Sequence, residues 1–212
     1  MRKKFGMCPN GMVIPADPGS NPGNPTILIR GGLMETVYFD SGGKQHTEKC
    51  LEIAKQHVDK ERIKSIVVAS TYGYTAEKAA EVFKNRNLVI VTHVAGFAKE
   101  NEQQFPKDLR ERLEAKGVKI VTAAHAFGGI NRAIEGSPGD IVADTLRMLS
   151  QGVKVAVEIV LEAADAGLIS TKEDVIAIAG TGKGADTVLV VKPANSKNLF
   201  DLRVKKILAK PL

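Results

Sequence analysis

Short apolar runs with almost no polar interruption recur along this chain: Ile66–Ala69, Leu88–Val91, Val175–Ala179 and Val188–Val191, with Val118–Val121 broken only by Lys119. A strand wetted on one face alternates apolar and polar residues, whereas a run without polar positions is buried on both faces, as in a parallel sheet covered by helices. Between the runs the pattern turns helical. Lys44–Asp59 places Leu51, Ile53, Ala54 and Val58 on one side, and Thr75–Lys84 follows the next strand. Pro106–Lys116 has Pro in its first turn and Gly117 beyond its end, the usual start and stop signals. Asp140–Ser150 and Val153–Gly167 read as helices, the second apolar on most sides and therefore buried. Strands are expected at Thr36–Phe39, Ile63–Ala69, Leu88–Thr92, Val118–Val121, Val175–Ala179 and Val188–Val191, with Val204–Leu208 as an edge strand. The alternation predicts an α/β fold in three layers, a mainly parallel sheet with helices on both faces.

Residues 1–33 do not share this pattern. They hold Pro9, Pro15, Pro18, Pro22 and Pro25 together with six glycines, a density of breakers that neither helix nor strand periodicity survives. A disordered extension is expected there, or a start-site artefact with Met34 as the first residue, followed by one domain over 34–212. Of the formal charge of +6, half falls in this segment, through Arg2, Lys3, Lys4 and Arg30 against Asp17. The body is close to balanced. Its one basic cluster, Lys192, Lys197, Arg203, Lys205, Lys206 and Lys210, reads as solvated surface, so no nucleic-acid partner is expected. No apolar run approaches the ~18 residues of a membrane helix, so no membrane partner is expected. Cys8 and Cys50 make no disulfide framework, which points to a reducing cytoplasm. A homo-oligomer is compatible with the sequence.

The strongest chemical signal follows the strand ending at Ala69. Ser70, Thr71, Gly73 and Thr75 form a turn that leads into a helix, with Tyr72 among them. Open α/β sheets bind ligands beyond the carboxyl ends of their strands, and a helix start offers unpaired N–H groups and a positive dipole end. Hydroxyl donors and a glycine that permits close approach suit a phosphate. The alternative is an ordinary N-cap at Thr75. A second loop, Gly180, Thr181, Gly182, Lys183, Gly184, Ala185, Asp186 and Thr187, also suits an anion. It precedes a strand and lacks the Walker pattern, which speaks against P-loop ATP hydrolysis; a glycine-rich hairpin-like connection is the other reading. Thr92, His93, Gly96 and Phe97 follow a buried strand at the same sheet edge, where His93 is placed to hydrogen-bond a ligand and Phe97 to pack on a flat ring. His125 lies in another such loop. Gln151, Lys154, Glu158, Glu162 and Asp165 share one helix face, either a solvent stripe or a face that points Glu158 at ligand hydroxyls. The four histidines show no metal-ligand spacing, so no metal is expected.

The stretch I-V-V-A-S-T-Y-G-Y-T-A, followed by L-V-I-V-T, resembles the carboxy-terminal α/β domain of pyruvate kinase, whose loop reads T-x-S-G-x-T-A. Ser70, Gly73, Thr75 and Ala76 fall on matching positions, and Tyr72 stands where that family has Ser. The loop ending Ala185-Asp186-Thr187 is similar to that domain's last loop. V-Y-F, V-V-A-S-T-Y-G, V-T-H-V-A-G-F, V-E-I-V-L-E-A-A-D-A-G and G-K-G-A-D-T resemble stand-alone proteins built from this domain alone, over nearly all of Met34 to Pro211. In pyruvate kinase the matching place holds an allosteric sugar phosphate, and in the stand-alone relatives flavin mononucleotide (FMN). The resemblance implies binding of a phosphate-bearing small molecule, FMN first, at Ser70, Thr71, Tyr72, Gly73, Thr75, Thr92, His93, Gly96, Phe97, Glu158, Gly180, Gly182, Lys183, Gly184, Asp186 and Thr187. Pyruvate kinase activity itself is not expected. A (β/α)₈ barrel of about 250 residues is longer than the whole stretch after Leu33, and no A-R-G-D-type segment occurs. An enzyme acting on a phosphorylated metabolite in the same pocket, and a regulatory effector-sensing module, are the competing classes.

Overall fold

A computed structural model describes residues 36–134 and 136–212. The extension expected over 1–33 lies outside the described residues.

Seven strands form one sheet: β1 (Val37–Phe39), β2 (Ser65–Ala69), β3 (Asn87–Thr92), β4 (Lys119–Thr122), β5 (Val175–Ala179), β6 (Thr187–Lys192) and β7 (Arg203–Pro211), in the spatial order β1-β7-β6-β5-β2-β3-β4. Only β6 runs against the rest. The helices are α1 (Thr47–Glu61), α2 (Tyr74–Val82), α3 (Lys107–Glu114), α4 (Pro138–Arg147) and α5 (Gln151–Asp165).

The period-two geometry of the strands separates two cores. Ile66, Val68, Ile90, Ile176 and Ile178 face Cys50, Leu51, Ala54 and Val58 of α1, Ala76 and Ala79 of α2, and Leu109 and Leu113 of α3. Val67, Val89, Val91, Val175, Ala177, Leu189 and Val191 face Val153, Ala156, Ile159, Val160 and Ala163 of α5. The sheet is thus covered on both faces, as the unbroken apolar runs require. α4 packs on the outer side of α5, where Ala143 joins Val157, Leu161 and Phe127. That second cover explains why α5 is apolar almost all round. Each large side chain so buried contributes about 1.5–3 kcal/mol.

The last strand differs from the expectation. β7 is not an edge: Val37–Phe39 pairs with Ala209–Pro211 and covers it, because Leu208 and Ala209 are apolar core positions that an edge would leave half-wet. β1 and β4 are the edges. In the basic cluster, Lys205 pairs with Asp174 and Lys206 with Glu61. Among the described residues no helix is long and apolar enough to cross a membrane.

Candidate functional site

The carboxyl ends of β2, β3 and β5 open on a cavity of about 410 Å³, a size typical of small-ligand sites. The connection from β2 leaves toward β3 and that from β5 toward β6, in opposite directions across the sheet. Such a switch point is where open α/β sheets take ligands.

The first wall is the loop between β2 and α2. Gly73 is the residue before α2 and has φ 89°, a conformation that costs other residues strain. A Cβ there would also collide with the Leu109 side chain. The Ser70 hydroxyl accepts the Ala76 N–H at 3.2 Å, tying the loop to the helix start. Its own proton remains free to be donated. Thr75 is not the cap that the alternative reading supposed. It is the second residue of α2, behind a cap that makes no side-chain hydrogen bond, and it lines the cavity. The N–H groups of Tyr74 and Thr75 find no acceptor among the described residues, as expected for a helix start.

The second wall is the β5–β6 connection. It is indeed a hairpin-like turn between antiparallel strands, and it lines the cavity through Gly180, Gly182, Lys183 and Gly184. Asp186 and Thr187 do not line it. The fully buried Asp186 carboxylate accepts from Gly43 N–H and Thr181 N–H, each at 2.9 Å, and from the Thr187 hydroxyl at 2.8 Å. It therefore ties the loop after β1 to the loop after β5. Thr47 Oγ1 accepts the Ala185 N–H at 2.9 Å and completes the tie. Lys183 Nζ lies 5.7 Å from the Tyr72 ring centroid, and Lys44 Nζ 3.8 Å from that of Tyr74. Both lysines line the cavity.

The third wall is aromatic. His93 and Phe97 have ring centroids 4.1 Å apart, and His125 lies 5.3 Å and 5.4 Å from them. His93 Nδ1 is 3.2 Å from Gln104 Oε1, whose amide donates to the Tyr72 hydroxyl at 2.9 Å. Tyr72 is 53% exposed and Phe97 37%. Thr92 lines the cavity, but its hydroxyl meets that of Thr122 at 2.6 Å. Gly96 stands back from the cavity, with φ 82° and its N–H donated to the Glu102 carbonyl at 3.0 Å.

The floor is α5, which lines the cavity from Gln151 to Glu162, roughly three turns of helix. The solvent-stripe reading holds only for Asp165, which is exposed. Lys154, Glu158 and Glu162 are buried, because the loop through Ala126 and Phe127 covers that side of the helix. Lys154 Nζ donates to Glu158 Oε2, and Phe127 N–H donates to Glu158 Oε1 at 3.0 Å. Glu162 Oε1 accepts the Ala126 N–H at 3.4 Å, while its Oε2 has no hydrogen-bond partner among the described residues. Burial first, and the Glu158 charge second, push the Glu162 carboxyl up to about 8.

Residues 48–191 match the family model of the pyruvate kinase alpha/beta domain. The chain belongs to this family. A solved pyruvate kinase from Cryptosporidium parvum is similar at 14% identity over 68% of this chain and 22% of that one, with a TM-score of 0.36. The chain spans about a fifth of that protein's length.

Within the pyruvate kinase alpha/beta frame, twelve of the sixteen expected site residues line the cavity; Gly73, Gly96, Asp186 and Thr187 do not. Gly73 and Asp186 shape its walls from behind. The sequence reading missed Lys44, Tyr74, Arg147, Gln151, Lys154 and Glu162 as site residues. A helical spacing on α5 marked Lys154 and Glu162 as one face with Glu158. Tyr74 stood inside the signalled turn at an unspecified position of its motif, and Lys44 and Arg147 carried no local signal.

Proposed function

We propose that this cavity binds a phosphate-bearing small molecule, with FMN the first candidate. The observation that carries the reading is that Ser70, Thr71, Tyr74 and Thr75, at the start of α2, line one cavity with Lys44 and Lys183, residues that can offer helix-start N–H groups, hydroxyls and ammonium groups to an anion. They occupy two loops whose backbones are set by Gly73 and by the Asp186 tie. A phosphate dianion satisfies such a set. The rings of Phe97, His93 and His125 offer a flat, partly apolar wall for an aromatic ligand body. Cys50 is buried and free, in keeping with a reducing compartment such as the cytoplasm.

The deciding measurement compares FMN with riboflavin, which lacks the phosphate. FMN is expected to bind more tightly. A hydrogen bond to a charged group contributes about 1.5–3 kcal/mol, so Ser70→Ala or Thr75→Ala should weaken FMN binding about ten- to a hundredfold. Riboflavin affinity should stay unchanged in both variants. Equal binding of the two flavins by the native protein, or full FMN affinity in both folded variants, would remove the phosphate from these loops.

A further inference from the structure

One polar group in the cavity is left over by the phosphate reading. Glu162 is 5% exposed and lines the cavity from α5, yet its Oε2 has no partner among the described residues. A buried polar atom without a partner is costly and calls for a reason. Its neighbours do not supply one. Glu158, one turn earlier, already holds Lys154 with one oxygen and Phe127 N–H with the other. The single lysine on this face is thus engaged, and a second carboxylate beside Glu158 would add like charge in a poorly solvated place. From the loop after β4, Glu162 receives only the Ala126 N–H, with His125 next in sequence; His93 from the end of β3 and Arg147 from α4 line the same cavity. Such a carboxyl keeps its proton, and a protonated carboxyl is a donor.

We propose that Glu162 is a specificity-determining residue of this cavity. Its carboxyl carries a proton and donates it in a hydrogen bond to an uncharged acceptor, a ring nitrogen or a carbonyl oxygen, on the part of the ligand away from its phosphate. The proposal rests on the preceding reading only in taking a flavin as the probe of this cavity. A heteroaromatic or imide-like body fits this donor. A cationic body does not, because it would draw the proton off. Raising the pH removes the donor and places a carboxylate against the ligand's acceptor, so binding weakens with pH through the window where Glu162 ionises, around 8.

The experiment measures riboflavin and FMN affinity of the full chain from pH 7 to pH 9, above the ordinary range of histidine and below that of lysine and tyrosine. Riboflavin has no phosphate, so its profile reads Glu162 apart from the loops. We expect riboflavin affinity to fall about tenfold over this window. Glu162→Gln keeps a donor that cannot ionise and should give a flat profile. Glu162→Ala should weaken binding about tenfold already at pH 7. A flat wild-type profile, or the same fall in Glu162→Gln, overturns the proposal. FMN binding no tighter than riboflavin would overturn the phosphate reading alone. If neither flavin binds at any pH, the proposed function falls, and the ligand-free protein decides for Glu162. A ¹³C carboxyl resonance that is absent in Glu162→Gln and titrates near pH 8 sustains the proton-carrying group. One that titrates below pH 6 overturns it.

Discussion

The two ends of the cavity solve the same problem with different materials. At the loop end, polar atoms come from the backbone, from small hydroxyls and from Lys44 and Lys183, and glycines fix the backbone. Gly73 and Gly184 hold φ of 89° and 76°, and a Cβ on Gly184 would run into the backbone of Lys44 and the Thr47 hydroxyl. At the helix end, polar atoms come from the long side chains of Lys154, Glu158 and Glu162, set into an apolar helix between two layers. The buried charge at the loop end, the Asp186 carboxylate, stands behind the wall and is matched by Gly43 N–H, Thr181 N–H and the Thr187 hydroxyl. The helix end holds ionisable groups out of water, so its properties depend on how each charge is matched. Conformation governs the first end and protonation the second.

Substitutions that separate these two dependences test the comparison. The largest effect is expected at Lys154. Lys154→Met leaves Glu158 with Phe127 N–H alone, and breaking a buried pair from one side costs about 3–5 kcal/mol. Adding Glu158→Gln should recover most of that loss in urea denaturation. If the double variant is as unstable as the single one, Lys154 matters through packing rather than charge. Next comes Gly73→Val. A β-branched residue at that φ, forced against Leu109, should cost about 3 kcal/mol, with no dependence on pH. A midpoint unchanged in urea would mean that the β2–α2 loop adapts freely.

Spread over several pH units, and specific to the helix end, is the pH slope of stability. The folded Glu162 carboxyl lies near 8, above its ordinary value of 4.5. Between those values the folded chain holds a proton that the unfolded chain has released. Stability is therefore fullest below 4.5 and declines as pH rises toward 8, by up to about 1.4 kcal/mol per pH unit. Glu162→Gln should remove this decline from the profile of unfolding free energy against pH. An identical slope in wild type and variant would assign it to another group.

The loop end was legible in the sequence because its signals are local. A buried run, then Ser70, Thr71, Gly73 and Thr75, then a helical pattern, states a strand–turn–helix whose turn lies at the carboxyl edge of a sheet. Even there the alternative reading of Thr75 as a cap does not hold, since the chain uses the backbone of Gly73 and reaches back to Ser70 instead. The helix end was half legible. Spacing put Lys154, Glu158 and Glu162 on one face, but which side of α5 is wet depends on α4 and on the loop through Phe127, both set by tertiary packing. β7 went wrong for a similar reason: its partner β1 is distant in sequence and only three residues long. Lys44 and Arg147 come from elements with no motif of their own, and only the assembled sheet edge brings them to the cavity.

The smallest predicted effect sharpens the loop half of the comparison. Gly182 lines the cavity at φ 75°, yet a Cβ there would meet nothing within 4 Å. Gly184, two residues on, has nearly the same φ but no room. Substituting each with Ala therefore imposes the same left-handed strain, about 1–2 kcal/mol, and adds a collision only at Gly184. Gly182→Ala should lower the urea midpoint modestly, and Gly184→Ala should lower it clearly more. The collision at Gly184 also presses on the Thr47 hydroxyl that holds Ala185 N–H. FMN affinity should therefore fall in Gly184→Ala more than in Gly182→Ala. Equal losses of stability would reduce the loop's glycines to a matter of φ alone. Equal losses of affinity would mean that the ligand meets position 182 directly, and that the loop end acts by close approach to its backbone rather than by shape held from behind.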